Sequence, residues 1–345
     1  MYLNKFETQK GDRIFQIPLQ LFPGLDGYVY LVLANEGGFE YRVLIDSGSG
    51  FGECNEQLEA GLQSASKQTG KSLRLQDLSH ILITHGHIDH FGGLTNIRAH
   101  TTAKIAIHEL DLRNITNYEE RLTVVSHRLD SFLVEAGVND EVRSYLIELY
   151  KVTKSLHQSI SVDLTYVAQN MRIGPFEMLH VPGHCAGHVV IRLHDILFTG
   201  DHVLSHISPH QSPEHLTLST GLEHYLNSLD KLFPWTNGIS LSLGGHGEPI
   251  ADLPQRVGEI KKVHTERLQE ILDYFIEPHT IAELSLRLFG EVDGYHALLA
   301  LEEAGAHVEY LYQRGFLGIN NLEEMIKYKR SIPIKYICIP CFIDD

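Results

Sequence analysis

Cysteine is scarce in this sequence: four among 345 residues. That is too few for a disulfide framework, so a reducing compartment is the expectation. Basic residues are also in short supply, with 28 Lys+Arg against 44 Asp+Glu and a formal net charge of −16. A nucleic-acid binder needs a basic field to neutralise phosphates, so the bulk charge counts against DNA and disfavours RNA. No apolar run approaches the roughly 18–20 residues of a membrane span. The opening MYLNKFETQKGDRIF has polar residues where a signal peptide carries its apolar centre. Internal repeats and low-complexity tracts are missing. The expectation is an acidic, cytoplasmic globular protein, with 43% hydrophobic residues to build its core.

What the sequence has in excess is histidine, 22 in all. Their setting is a run of short strands. Residues 28–34 (YVYLVLA) and 41–46 (YRVLID) flank the turn Glu36-Gly37-Gly38 and read as a hairpin, followed by a glycine-rich loop at 46–50. The buried-strand pattern HILIT (80–84) ends in a histidine cluster, and further strands are predicted at 104–108, 176–181, 189–193, 196–199 and 239–243. Residues 119–156 break this rhythm. Leu122, Val125, Leu129, Leu133 and Ala136 lie three and four apart, a helix face; Gly137 reads as its stop and Asn139 or Asp140 as the next cap. Val142, Tyr145, Leu146, Leu149 and Leu156 continue on a second helix. After about residue 250 come three helical patterns, at 259–276, from Thr280, and at 295–314, and then the short strand or wing FLGINN.

The chemistry concentrates in Thr84-His85-Gly86-His87-Ile88-Asp89-His90. Neutral imidazole is a strong zinc donor at about 2.0–2.1 Å, and carboxylate oxygen complements it. His85 and His87 can converge on one ion, while Asp89 and His90, a turn further on, can serve a neighbouring one. Three later strand ends supply the remaining ligands: His184 in VPGHCAGH, Asp201 in LFTGDH and His246 in LSLGGHG. His188 is a candidate for holding ligands in place rather than binding metal, and Thr84 either does the same or simply caps the strand end. His206, close behind Asp201, is a candidate for the substrate entrance. Cys338 and Cys341 form a CxxC without a second ligand pair or a redox-helix context, and Cys185 reads as a packed small residue.

This ordered His-x-His-x-Asp-His, His, Asp, His pattern resembles the metallo-β-lactamase superfamily over roughly residues 15–250. The resemblance implies an α/β fold, an αββα sandwich with the site at one edge. It implies a first zinc on His85, His87 and His184, a second on Asp89, His90 and His246, and Asp201 bridging. Asp46 matches the family's first motif and would orient the site from behind the ligands. Flavodiiron relatives carry Glu where this chain has His87, which favours two Zn²⁺ of the hydrolytic type; spacing leaves iron and manganese open. The C-terminal pattern looks like the winged-helix tail of lactamase-like hydrolases. The expected division is therefore 1–252, catalytic, with a helical insertion at about 109–160; 253–330, winged-helix-like; and 331–345, a tail.

The activity implied is hydrolysis by a metal-bridging hydroxide, with Asp89 orienting it and relaying its proton. A thioester, ester or lactone on a small molecule or a carrier protein is the favoured substrate. The apolar helices at 119–156 suggest either one wall or a lid of an acyl pocket, with Leu129 and Leu133 lining it, or an ordinary pair of scaffold helices, in which case Leu133 is core. A metal-dependent endoribonuclease is the alternative, and a binding module with a vestigial site a distant third. The third tail helix carries Glu302, Glu303 and Glu309 against Arg314 alone, so the tail is expected to serve packing or homodimerisation rather than DNA binding.

Overall fold

The computed structural model describes residues 3–155, 157–328 and 330–339. Leu156, placed above on a helix face, and Cys341 of the tail fall outside them. The chain forms two compact units. One comprises Met1–Tyr118, His157–Pro209 and Ser228–Val257; the other comprises Glu119–Leu156, His210–Asn227 and Gly258–Asp345.

The first unit is built on two sheets. Seven strands lie side by side in chain order: β1 (Asn4–Glu7), β2 (Arg13–Phe22), β3 (Leu25–Glu36), β4 (Phe39–Ile45), β5 (His80–Leu82), β6 (Lys104–Ile107) and β7 (Leu164–Thr165). The second sheet contains β8 (Arg172–Ile173), β9 (Phe176–His180), β10 (Val189–Leu193), β11 (Ile196–Gly200) and β12 (Leu241–Gly244), in the order β12-β11-β10-β9-β8. Successive strand residues face opposite sides. Tyr30, Val32 and Ala34 of β3 therefore join Val43, Ile45 and Leu82 in meeting Phe176, Met178, Val189, Ile191 and Phe198 of the other sheet. The alternate residues Val29, Leu31 and Leu33 are buried as well. Burial on both faces explains why this strand reads as a continuous apolar run. On β2, Gln20 is tied to the helix Cys54–Thr69 through Gln57, and that helix buries Leu58, Leu62 and Ala65.

Strand direction decides where the polar residues gather. β4, β5 and β6 are parallel, so the residues that follow them emerge at the same edge. In the second sheet β11 and β12 are parallel, and two antiparallel steps through β10 give β9 the same direction. The residues after β4, β5, β9, β11 and β12 are those that carry Asp46, His85, His184, Asp201 and His246. The Tyr30 hydroxyl donates to the Gly244 carbonyl at 2.6 Å and the Val189 amide to the Thr84 carbonyl at 2.9 Å, tying the two sheets together at this edge.

The second unit is helical. Tyr118–Glu135 and Asp140–Lys154 form the expected hairpin, the latter capped by the Asn139 side chain, which accepts from the Val142 amide at 3.0 Å. Ile281–Phe289 begins with a reciprocal Thr280–Glu283 capping box. Gly294–Gln313 follows, and then a two-stranded antiparallel sheet of β13 (Leu317–Ile319) and β14 (Tyr336–Cys338). Leu129, Phe132, Leu133, Ala136 and Leu146 share one buried cluster with Ile271, Phe275, Leu284, Leu298 and Val308.

This packing changes two expectations. The helices at 119–156 group with the C-terminal helices, not with the 1–252 segment, because their apolar faces find a partner there. Leu129 and Leu133 are fully buried in that core, where they serve as packing residues. Among the described residues no helix is long and apolar enough to cross a membrane.

Candidate metal centre

Asp46 closes β4 with φ at +60°, a left-handed conformation that Asp tolerates better than most residues. The turn directs its carboxylate at two neighbours. Oδ1 accepts the Thr84 amide at 2.7 Å, and Oδ2 accepts His90 Nδ1 at 2.8 Å. The Thr84 hydroxyl donates to the same carboxylate at 2.9 Å, which leaves its oxygen to accept from His85 Nδ1 at 3.0 Å. One helical turn, Ile88–Phe91, starts at His87 and swings Asp89 and His90 away from His85 and His87.

Two groups result. In the first, His87 Nδ1 lies 3.1 Å from His85 Nε2 and 3.0 Å from His184 Nε2. In the second, Asp201 Oδ2 lies 3.4 Å from both His90 Nε2 and His246 Nε2, and Asp89 Oδ2 lies 3.3 Å from His246 Nε2. Asp201 Oδ2 is also 3.9 Å from His184 Nε2, so this one carboxylate borders both groups. All seven expected ligands are brought together, within two sets whose donor atoms lie inside 4.8 Å of one another.

The donor set fits divalent cations. His85, His90 and His246 each engage Nδ1 outward, the last with the Asp26 carbonyl at 2.7 Å, so each turns Nε2 inward as the nitrogen it would offer a cation. His90 Nε2 and Asp201 Oδ1 are buried without any hydrogen-bond partner, a cost that a cation would remove. Burial works against charge on His90, but Asp201, Asp89 and Asp46 outweigh it and hold the imidazole well above its usual range. His246 is pushed up to about 10 against its burial, chiefly by Asp201. Burial alone would raise Asp89, yet His90 and His246 hold it below the ordinary carboxylate range. His85 lies at the other extreme, driven well below its usual value by burial and then by neighbouring imidazoles.

His188 is fully buried and stacks on His85 with ring centroids 4.6 Å apart; its Nε2 accepts the Asp201 amide at 3.1 Å. It therefore holds Asp201 and His85 rather than joining either ligand group. His206 is exposed and belongs to neither. Burial, then the charge and hydrogen bond of Asp111, keep the Cys185 thiol well above its ordinary pKa, which makes it a donor and not a nucleophile.

Sequence reasoning missed Asp111. Fully buried just after β6, it accepts two backbone amides from the ligand loops. An acidic residue shortly after a strand of this sheet was the available signal. It also missed the Asp26 carbonyl behind His246, which has no side-chain signature at all.

A third cluster, His264, Glu303 and His307, lies in the second unit. His307 Nδ1 donates to the Glu303 carbonyl at 2.8 Å and its Nε2 accepts from His264 Nδ1 at 3.0 Å. The Glu303 carboxylate takes Arg267 at 2.5 Å and the Gln211 amide at 2.6 Å. The guanidinium neutralises the carboxylate and these bonds close on one another, so the network stands without an ion.

The sequence matches the Metallo-beta-lactamase superfamily over residues 23–272, and the chain belongs to that hydrolytic superfamily. It is 23% identical over 266 residues to a lactamase-like protein of Emericella nidulans, covering 73% of this chain and 65% of that one. It is 24% identical to an atrochrysone carboxyl ACP thioesterase of Claviceps purpurea, covering 64% of this chain and 52% of the relative. The chain thus spans half to two thirds of the length of these fungal proteins. A metallo-beta-lactamase family protein from Thermus thermophilus superposes with a TM-score of 0.73 at 27% identity, covering 94% of this chain and 98% of that one.

Proposed function

We propose that this chain is a metal-dependent hydrolase of activated acyl bonds, a thioester first and an ester or lactone next, using two divalent cations, zinc by donor type. The observation that carries the reading is Asp201, whose carboxylate borders both donor groups at 3.4–3.9 Å. His85, His87 and His184 would hold one ion, and Asp89, His90 and His246 the other, with Asp201 shared. When bound, such ions acidify water and polarise the acyl oxygen.

The chain's own residues do the rest. Asp46 and Thr84 fix the rings of His90 and His85 with their Nε2 atoms inward. The Asp26 carbonyl does the same for His246. In this reading Asp89, a partly exposed carboxylate beside His246, takes the proton of an attacking water and returns it to the leaving group.

The name of the Claviceps relative supports a carrier-protein-bound acyl group as substrate, and the acidic bulk charge weighs against RNA. The test is hydrolysis by zinc-loaded protein of an acyl-thioester, an acyl-lactone, a β-lactam, a phosphodiester and single-stranded RNA. Thioester turnover well above the others is the expected result. Turnover of RNA alone would replace this reading with the endoribonuclease one.

A further inference from the structure

The first donor group is assembled from two loops, one after β5 carrying His85 and His87, the other after β9 carrying His184. A single buried carboxylate joins them. Asp111 Oδ2 accepts the Gly86 amide at 2.7 Å, and Oδ1 accepts the Gly187 amide at 2.9 Å. Gly86 sits between His85 and His87; Gly187 sits between His184 and His188. Each oxygen thus addresses one loop.

The two glycines make the approach feasible. A Cβ at Gly187 would lie 2.7 Å from both Asp111 Cγ and Asp111 N, and one at Gly86 would lie 3.0 Å from Asp111 Cγ. A side chain at Gly187 would push its loop off the carboxylate, while one at Gly86 would first meet the Asn114 amide. Asp111 is itself fixed, its amide donating to the His108 carbonyl at 3.0 Å at the end of β6. The clamp is therefore anchored in the sheet, and the two loops hang from it.

We propose that Asp111 is the positioning residue that sets His184 against His85 and His87, and so determines affinity for the ion those three hold, while touching neither ion nor substrate. This rests on the two-ion reading above. An Asn at this position has the same shape but one acceptor oxygen, and it turns an N–H group toward one of the two amides it should receive.

The test is titration of metal-free protein with Zn²⁺ against a chromophoric chelator, with the Co²⁺ absorption spectrum as a second readout. The wild type should resolve two affinities. Asp111→Asn should weaken one of them by about 10–100-fold, the range for groups that orient ligands, and leave the other within about threefold. The Co²⁺ bands of the weakened site alone should change. Gly187→Ala strains the same joint from the opposite side and should produce the same selective loss, which keeps the test open should Asp111→Asn fold poorly. Melting temperatures of the metal-free proteins are measured beside these.

Equal weakening of both ions, or a lowered melting temperature with both affinities intact, would overturn the proposal and leave Asp111 a residue of the fold. Two tight ions in wild type and both variants would overturn it while sparing the metal-centre reading. A wild type that takes up no metal would remove that reading, and this proposal with it.

Discussion

Asp46 and His90 are joined by a 2.8 Å hydrogen bond from the imidazole Nδ1 to the carboxylate Oδ2, both side chains being almost fully buried. The bond occupies Nδ1, so Nε2 is the ring nitrogen that faces Asp201 and that would be offered to a cation. Asp46→Asn should therefore lower affinity for the ion assigned to Asp89, His90 and His246 by about 10–100-fold. Competition with a chelator measures it. Unchanged affinity would show that the carboxylate serves only the Thr84 turn.

His87 and His188 look alike in sequence but sit in different places. His87 contributes Nδ1 to the first donor group, whereas His188 accepts the Asp201 amide and stacks on His85. His87→Ala should abolish most turnover together with one equivalent of metal. His188→Ala should keep the metal and lower kcat by about 10–100-fold. Metal content by elemental analysis, set against kcat, separates the two.

Leu133 is wholly buried in the helical core. Leu133→Ala should cost about 2–5 kcal/mol of stability by emptying a packed site. It should leave the dependence of kcat/KM on acyl chain length unaltered. Urea unfolding gives the first quantity. A changed chain-length profile without destabilisation would restore these helices to a role at the substrate.

His210 gives the second unit a pH dependence. Burial disfavours its charge, but the Glu302 carboxylate 3.1 Å away, and Glu303 beyond it, outweigh burial and raise its pKa above the usual imidazole value. A pKa raised on folding adds stability that is complete below the unfolded pKa and is lost as pH rises through the folded one. Burial likewise raises Glu303, which acts in the same direction. His264 and His307, whose pKa values burial lowers, act in the opposite sense, so the contribution of His210 is read by difference. The melting temperature of wild type minus that of His210→Gln should fall as pH rises from mildly acidic to alkaline; a difference independent of pH would remove His210 as a source.

Much of the first unit was legible because its strands are short apolar runs that stop at polar, glycine-flanked residues. Strands predicted at 104–108, 189–193 and 196–199 occur at 104–107, 189–193 and 196–200. The convergence of His85, His87, Asp89, His90, His184, Asp201 and His246 was legible for the same reason, since each lies at or just beyond a strand end. Other features were hidden. β7 and β8, two residues each, are too short to carry a period. Asp111 acts through backbone amides, which leave no mark on the residues they belong to beyond two glycines. The faces of the helices at 119–156 were readable, but a hydrophobic stripe does not name its partner. The acidic third tail helix was readable as charge, yet its carboxylates are spent locally: Glu303 receives the Gln211 amide, and Glu309 those of Glu214 and His215.

The chain passes between the two units at 118/119, 156/157, 209/210, 227/228 and 257/258, five times in all. Neither unit is a continuous stretch, so neither can be completed during synthesis before most of the polypeptide exists. A polypeptide truncated near residue 252 would not yield a free catalytic domain. It would strand Leu129, Phe132, Leu133 and Leu146 without the helices that cover them, presenting a sticky surface to other chains. The same interleaving bears on ancestry. A helical module appended to an enzyme can be lost or exchanged as a cassette, but one threaded through it at three places can change only in step with its host.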